Sequence, residues 1–183
     1  MHVTKGDCQH HLKGLDEIFK RVREAGLKVN ANKSSFAAPE MEYLGYLISR
    51  EGIRPLPKKI QGIRDIKPPR TRKELKRFIG MINFYRDMWK GRAHLLDPLS
   101  SLTSKARPFI WEKQHQEAFE AIKRVLSCEV LLAYPDFNAP FHIHTDASGF
   151  QIGAVISQNG KPIAFYSKKM NNAQNLELTF FYV

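Results

Sequence analysis

The stretch TRKELKRFIGMINFYRDMW, Thr71 to Trp89, decides how the rest of the sequence is read. Leu75, Phe78, Ile79, Ile82, Tyr85 and Trp89 recur three and four residues apart, the period of an amphipathic helix with one face in a core. The spacing predicts one long helix over the whole range. Thr71 and Glu74 fit a capping box, in which the hydroxyl takes an orphan amide at the helix start and Glu74 reaches back to the amide of Thr71. Pro68-Pro69 fixes the entry. The other side carries Lys73, Lys76, Arg77 and Arg86, and Lys76, Gly80 and Phe84 share one line along the surface. A mid-helix glycine costs up to ~1 kcal/mol relative to alanine, so Gly80 implies close approach by something else, a second helix or a ligand.

Charge bears on which. The chain of 183 residues has a formal net charge of +11. Residues 50–113 hold 17 Lys or Arg against 6 Asp or Glu, whereas 1–49 hold 7 against 6 and 114–183 hold 5 against 6, so the excess surrounds this helix. A local field of that size favours a polyphosphate partner, nucleic acid first. An anionic membrane surface fits less well, because acids interrupt the basic positions and no run approaches the ~20 apolar residues of a span. A merely solvated basic face is the remaining alternative.

With 43% hydrophobic and 26% charged residues, the composition is that of a soluble globular protein of one domain or two small ones. Cys8 and Cys128 match no metal spacing and read as reduced, inert thiols. Residues 1–20 hold no apolar leader, so the expected location is cytoplasmic or nuclear, not secreted.

Along the chain, Leu12, Leu15, Ile18, Val22 and Ala25 predict a helix from about His10, ended by Gly26 as a left-handed cap, after nine unstructured residues. Glu42 to Ser49 reads as a strand with a hairpin turning at Glu51-Gly52. Pro55 and Pro57 open a short helix with Ile60, Ile63 and Ile66 on one side. After the central helix, Leu95, Leu96, Leu99 and Leu102 make another, broken near Pro98, and Ala106-Arg107-Pro108 marks a boundary. A helix over about Lys113 to Ser127 follows, then a strand at Val130 to Tyr134. Phe141 to Asp146 alternates, Gln151 to Gln158 is strand-like, and Asn159-Gly160 turns into Ile163 to Ser167, giving a three-stranded meander.

Asp146 is expected to end its strand on the same face as His142 and His144, with Ala147-Ser148-Gly149 turning after it. A carboxylate there can bind Mg²⁺ through hard oxygen ligands, although such an Asp is more often a turn-former. Two-metal phosphodiester hydrolysis needs several carboxylates around ions about 4 Å apart, and one aspartate cannot supply them. After Asp146 the sequence offers only Glu177. No Cys-x-x-Cys, glycine-rich phosphate loop or Gly-x-Ser-x-Gly elbow occurs, which counts against a self-contained hydrolase, kinase or dehydrogenase.

These residues together resemble the part of a gypsy-type long-terminal-repeat retrotransposon Pol polyprotein that joins reverse transcriptase to RNase H, over about residues 10–172. The resemblance rests on Gly26-Leu27-Lys28-Val29-Asn30, Glu42-Tyr43-Leu44-Gly45-Tyr46, Glu51-Gly52-Ile53-Arg54-Pro55, and Phe78-Ile79-Gly80-Met81-Ile82-Asn83-Phe84-Tyr85-Arg86. It continues in Phe109-Ile110-Trp111, Tyr134-Pro135-Asp136-Phe137, Thr145-Asp146-Ala147-Ser148 and Gly153-Ala154-Val155-Ile156-Ser157-Gln158. It implies an α+β fold: a palm-end hairpin and helical thumb of a reverse transcriptase, followed by a truncated RNase H-like β-meander. Residues 1–54 would be the palm remnant with its primer-grip hairpin, 55–104 the thumb, 105–140 the connection and 141–183 the RNase H-like part.

The resemblance also implies roles. Tyr43, Leu44, Gly45 and Tyr46 would grip the primer. Lys76, Gly80, Asn83 and Phe84, with Lys73 and Arg77 beside them, would track an RNA–DNA or DNA duplex. Asp146 would be the first catalytic, Mg²⁺-binding acid of an RNase H site. The polymerase Tyr-x-Asp-Asp is missing, and by the family's spacing after Asn172-Ala173-Gln174, Phe181 stands where the second RNase H acid is expected. Leu176 to Val183 does not read like the family. The expectation is a duplex-contacting retrotransposon fragment without turnover and without bound Mg²⁺. Two alternatives stay open: part of an intact polymerase and RNase H polyprotein with the remainder encoded nearby, or an interaction module packing Phe78, Ile82 and Trp89 on a protein partner.

Overall fold

The computed structural model describes residues 7–128, 130–148 and 151–170. The chain divides into two compact units, Met1–Ala38 and Pro39–Val183. In the first, helix α1 spans Cys8–Glu24. Asp7 caps it by accepting a hydrogen bond from His10 N at 2.8 Å, so the helix starts two residues earlier than its apolar period implied. Residues 1–6, expected to be unstructured, lie outside the described residues. Leu15, Ile18 and Val22 are half-buried and no α1 residue is buried. Gly26, at φ +69°, ends the helix as expected.

The second unit opens with an antiparallel sheet of β1 (Glu40–Tyr43), β2 (Tyr46–Ser49) and β3 (Ile53–Pro55), in that order. The run from Glu42 to Ser49 is therefore not one strand. It folds back at Leu44-Gly45, whose φ angles of +47° and +83° are the paired positive values of a tight hairpin turn. The turn expected around Glu51-Gly52 is also present, between β2 and β3.

Helix α2 spans Pro57–Arg64 and α3 spans Arg72–Asn83. The single helix expected to reach Trp89 stops at Asn83. Phe84 N and Tyr85 N bond back to the carbonyls of Met81 and Ile82, three residues away, and a single 3₁₀ turn, Arg86–Met88, follows. A continuing α-helix would commit the Phe84 carbonyl to Met88 N. Instead Tyr46 Oη donates to that carbonyl at 3.1 Å, and Met88 N bonds Tyr85 O. At the other end Thr71 Oγ1 accepts from Glu74 N at 3.2 Å, while Glu74 accepts from Arg70 N at 2.8 Å rather than from Thr71.

Helix α4 (Arg92–Ser101) runs through Pro98 instead of breaking there, with Leu96, Leu99 and Leu102 buried on both sides of it. Packing outweighs the proline's local cost. Helix α5, Lys113–Ser127, has the expected bounds. Helices α2 to α5 share one core. Leu75, Phe78, Ile82, Trp89, Leu99, Phe119 and Ile122 are each under 2% exposed, and the Phe78 and Phe119 rings lie 4.7 Å apart. Phe78, Ile82 and Trp89 thus face inward, which removes the reading of them as a partner-binding surface. The core is continuous across Ala106–Pro108, since α5 packs with the helices before it.

The meander consists of β4 (His142–Ser148), β5 (Gln151–Gln158) and β6 (Lys161–Lys169), joined between β5 and β6 at Asn159-Gly160, with φ +50° and +73°. β4 continues to Ser148, so Asp146 does not end it; Gly149 lies outside the described residues. Every β4 residue is exposed, so the expected alternation buries neither face of this edge strand.

The strand expected over Val130 to Tyr134 shrinks to one bridge. Leu132 exchanges backbone bonds with Ile53 at 2.8 and 2.9 Å, and Ala133 N turns to Pro162 O at 2.8 Å. Successive residues serve different sheets, so no ladder grows. Buried Gln158 pins the loop after it, accepting from Asp136 N and donating to the carbonyls of Asp136 and Ala139. Arg92 crosses from helix to meander, donating to Asn83 Oδ1 at 3.0 Å and to Ser167 O at 2.8 Å. Lys169 pairs with Asp97 beside it.

Candidate nucleic-acid interface

Tertiary packing brings the β1–β2 turn to the C-terminal end of α3. The Tyr46 ring stacks on Phe84 with centroids 5.3 Å apart, and Tyr85 stands edge-on to both at 5.5 and 4.9 Å. Tyr85 Oη donates to Gly45 O at 2.9 Å. A Cβ on Gly45 would stand 3.0 Å from the Phe84 ring, so this turn needs glycine for space as well as for its positive φ. Aromatic pairs add about 0.5–1.5 kcal/mol each beyond buried area, enough to hold the turn against the helix.

Burial raises the Tyr46 and Tyr85 phenols above their ordinary range; Asp87 adds to this at Tyr46 and the Tyr46 charge adds to it at Tyr85. A raised folded-state value means their contribution is complete below the unfolded phenol range, about pH 10, and is lost as pH climbs through it. Urea melts at about pH 9 and about pH 11 are expected to show this loss, and Tyr46→Phe/Tyr85→Phe to lose less stability over the same interval. An equal loss in that variant would refute the assignment.

The outward positions behave differently. Lys73, Lys76 and Arg77 are exposed, and among the described residues no carboxylate pairs with them. Gly80 is exposed, and a Cβ built there would meet nothing within 4 Å. Phe84 is 51% exposed and Leu44, at the turn, 71%. Tyr43 is exposed at the end of β1, across the turn from Tyr46. Asn83 is half-buried with its carbonyl held by Arg92. Of the sequence-expected residues, Leu44, Gly45, Arg77, Gly80 and Phe84 line one groove of about 1360 Å³ between α2 and α3. Its other wall carries Lys58, Lys59 and Lys67, which the sequence reading passed over. The period of Ile60, Ile63 and Ile66 sets only Lys58 off the apolar side, because Lys59 and Lys67 each stand four residues from Ile63.

A family model described as an RNase H-like domain found in reverse transcriptase matches residues 111–179. It runs past Leu176, so the resemblance extends further than the sequence reading placed it. Over 94% of its length the chain is 36% identical to the retrovirus-related Pol polyprotein from the Drosophila melanogaster transposon opus. Over 90% it is 30% identical to that of transposon gypsy from the same fly, and 32% identical to the Schizosaccharomyces pombe transposon Tf2-3 polyprotein. The chain is similar to one segment of these retrotransposon Pol polyproteins. It spans 13–19% of the length of these relatives.

Among solved structures, the chain superposes on a foamy viral protease–reverse transcriptase in complex with RNA/DNA hybrid, with a TM-score of 0.80 and 28% identity, covering 98% of this chain and 26% of the viral one. A second foamy viral structure, in complex with double-stranded DNA, gives 0.80 and 29%, covering 94% of this chain and 31% of that one. The fold is the α+β arrangement of reverse transcriptase and RNase H relatives.

Asp146 stands apart from the groove. It pairs with Gly153 on β5 and lines a pocket of about 100 Å³ with Lys90, Gly91 and His144. The family generally uses Mg²⁺. Among the described residues no three His, Cys, Asp or Glu side chains come close enough to hold an ion, and this pocket sets a lysine beside the one carboxylate. These residues do not fit Mg²⁺. Asn172 to Gln174, Glu177 and Phe181 lie outside the described residues. No described helix is long and apolar enough to cross a membrane.

Proposed function

We propose that α3 and the β1–β2 turn form a duplex-gripping surface, the thumb and primer grip of a reverse transcriptase. This reading takes residues 1–54 as palm, 55–104 as thumb, 105–140 as connection and 141–183 as RNase H-like. Lys73, Lys76, Arg77, Gly80, Asn83 and Phe84 track the template–primer, and Tyr43 to Tyr46 steady the primer end. The observation that carries the reading is Gly80. It is a costly mid-helix glycine, in line with Lys76 and Phe84, whose open side nothing among the described residues fills. Foamy viral relatives of the same fold are captured on RNA/DNA hybrid and double-stranded DNA. By itself this polypeptide binds duplex without extending or cutting it, because the sequence has no Tyr-x-Asp-Asp and Asp146 has no acidic partners among the described residues. Its coverage of the relatives favours a working context inside a longer Pol polyprotein.

Anisotropy titration with a labelled RNA–DNA hybrid tests this. Affinity is expected to fall linearly in log–log form as salt rises, and Lys76→Ala/Arg77→Ala to weaken it at least about tenfold for all sequences while lowering the salt slope by about 2. A parent chain that ignores duplex at low ionic strength ends the reading. Mg²⁺-dependent hybrid cleavage abolished by Asp146→Asn would overturn the part about turnover.

A further inference from the structure

Helix α2 faces α3 across the groove. Lys58 and Lys59 of α2 and Lys67, three residues past its end, line the groove together with Arg77 of α3, all exposed, and none is ion-paired among the described residues. The one carboxylate in the lining, Glu74, is already bonded to Arg70 N at 2.8 Å. Helix α2 also carries its own interior glycine. A Cβ on Gly62 would meet nothing within 4 Å, as at Gly80 on the facing helix. Two helices thus each accept a glycine's cost and leave bare backbone toward the same open space. Buried Ile63 and Phe78 form part of its floor.

We propose that α2 is the second wall of a phosphate cleft, in which Lys58, Lys59 and Lys67 with Arg77 hold the sugar–phosphate backbone of one strand of the duplex lying on α3. This rests on the duplex-binding reading above and adds a wall to it. Unpaired cations match phosphates in charge and spacing tolerance, whereas sugars, having apolar faces, suit the floor. The two glycines admit the chain to contact distance. The cleft grips without reading bases, since phosphate contacts position a duplex but carry no sequence information.

The full chain is titrated with a labelled RNA–DNA hybrid and with a DNA duplex across a salt series. Lys58→Ala/Lys59→Ala/Lys67→Ala is expected to lose at least about tenfold in affinity for both and to lower the salt slope by about 3. The corresponding triple arginine variant is expected to keep the parental slope. Gly62→Leu, which adds bulk and no charge, is expected to lose affinity with little change in slope. Circular dichroism melts of the lysine variants are expected to match the parent, and that of Gly62→Leu to equal or exceed it. If the triple alanine variant keeps parental affinity and slope while Lys76→Ala/Arg77→Ala loses both, α2 is not a wall and the α3 reading stands. If the α2 variant loses both while the α3 pair does not, the cleft is supported and the α3 assignment falls. A parent that binds neither duplex overturns both. Retained duplex binding in the triple alanine variant together with lost binding of poly-glutamate would assign the groove to an acidic protein partner and overturn the proposal.

Discussion

Replacing Gly52 with alanine is expected to destabilise the fold by about 2 to 4 kcal/mol, from backbone strain together with an overpacked contact. Gly52 sits at φ +148°, a conformation that side chains rarely adopt. An added Cβ would lie 2.2 Å from the Leu132 carbonyl oxygen and 3.1 Å from its carbon. Both of those atoms belong to backbone, so neither can swing aside like a side-chain tip. The only relief is to move the 130–134 segment away, which breaks its paired bonds to Ile53. Urea unfolding checks this: the midpoint should fall with an unchanged denaturant slope. Gly80→Ala serves as the counter-case. Its Cβ enters open space inside a helix, so stability should rise by up to about 1 kcal/mol. A Gly52→Ala protein as stable as its parent would mean that Leu132 does not cross there.

Phe78→Ala is expected to cost about 3 to 5 kcal/mol, the range for emptying an aromatic site in a packed core. Phe78 is 1% exposed and meets Phe119 at 4.7 Å, linking α3 to α5. Six residues on, Phe84→Ala should cost only about 1 kcal/mol, because that ring is 51% exposed and loses chiefly its stacking on Tyr46 and its edge contact with Tyr85. Binding should rank the pair the other way. Phe84→Ala should weaken the grip on a hybrid in a chain that remains folded, while Phe78→Ala should act on binding only through unfolding. Thermal melts read beside anisotropy separate the two. If both substitutions cost the same in stability, the division of α3 into an inward and an outward face is wrong.

That division was legible in the sequence because it rests on local period alone: Leu75, Phe78, Ile82 and Trp89 are buried and Lys76, Gly80 and Phe84 are not. The bounds of α5 and the Asn159-Gly160 turn were legible for the same reason. What escaped was decided by distant partners. The end of α3 at Asn83 depends on a hydroxyl from Tyr46, 38 residues earlier in the chain, claiming the Phe84 carbonyl. The strand at Val130 to Tyr134 failed to form because neighbouring amides are drawn to different sheets. Pro98 stays inside α4 because buried leucines flank it. Within the groove, the α3 side was legible from charge and a misplaced glycine. The α2 side was not, since only the assembled fold turns Lys58, Lys59 and Lys67 toward the same space as Arg77.

The planar fork of Arg92 reaches Asn83 with one nitrogen and the Ser167 carbonyl with the other. Ser167 sits opposite Gly153, and Gly153 sits opposite Asp146. One transverse line therefore runs from the last turn of the helix, through a guanidinium, over the full width of the meander to its outer carboxylate. With strands about 4.8 Å apart, that acid lies two strand spacings, roughly 10 Å, beyond Ser167. The helix end and the aspartate's rung thus share one continuous hydrogen-bonded line, closed on the helix side by a single guanidinium.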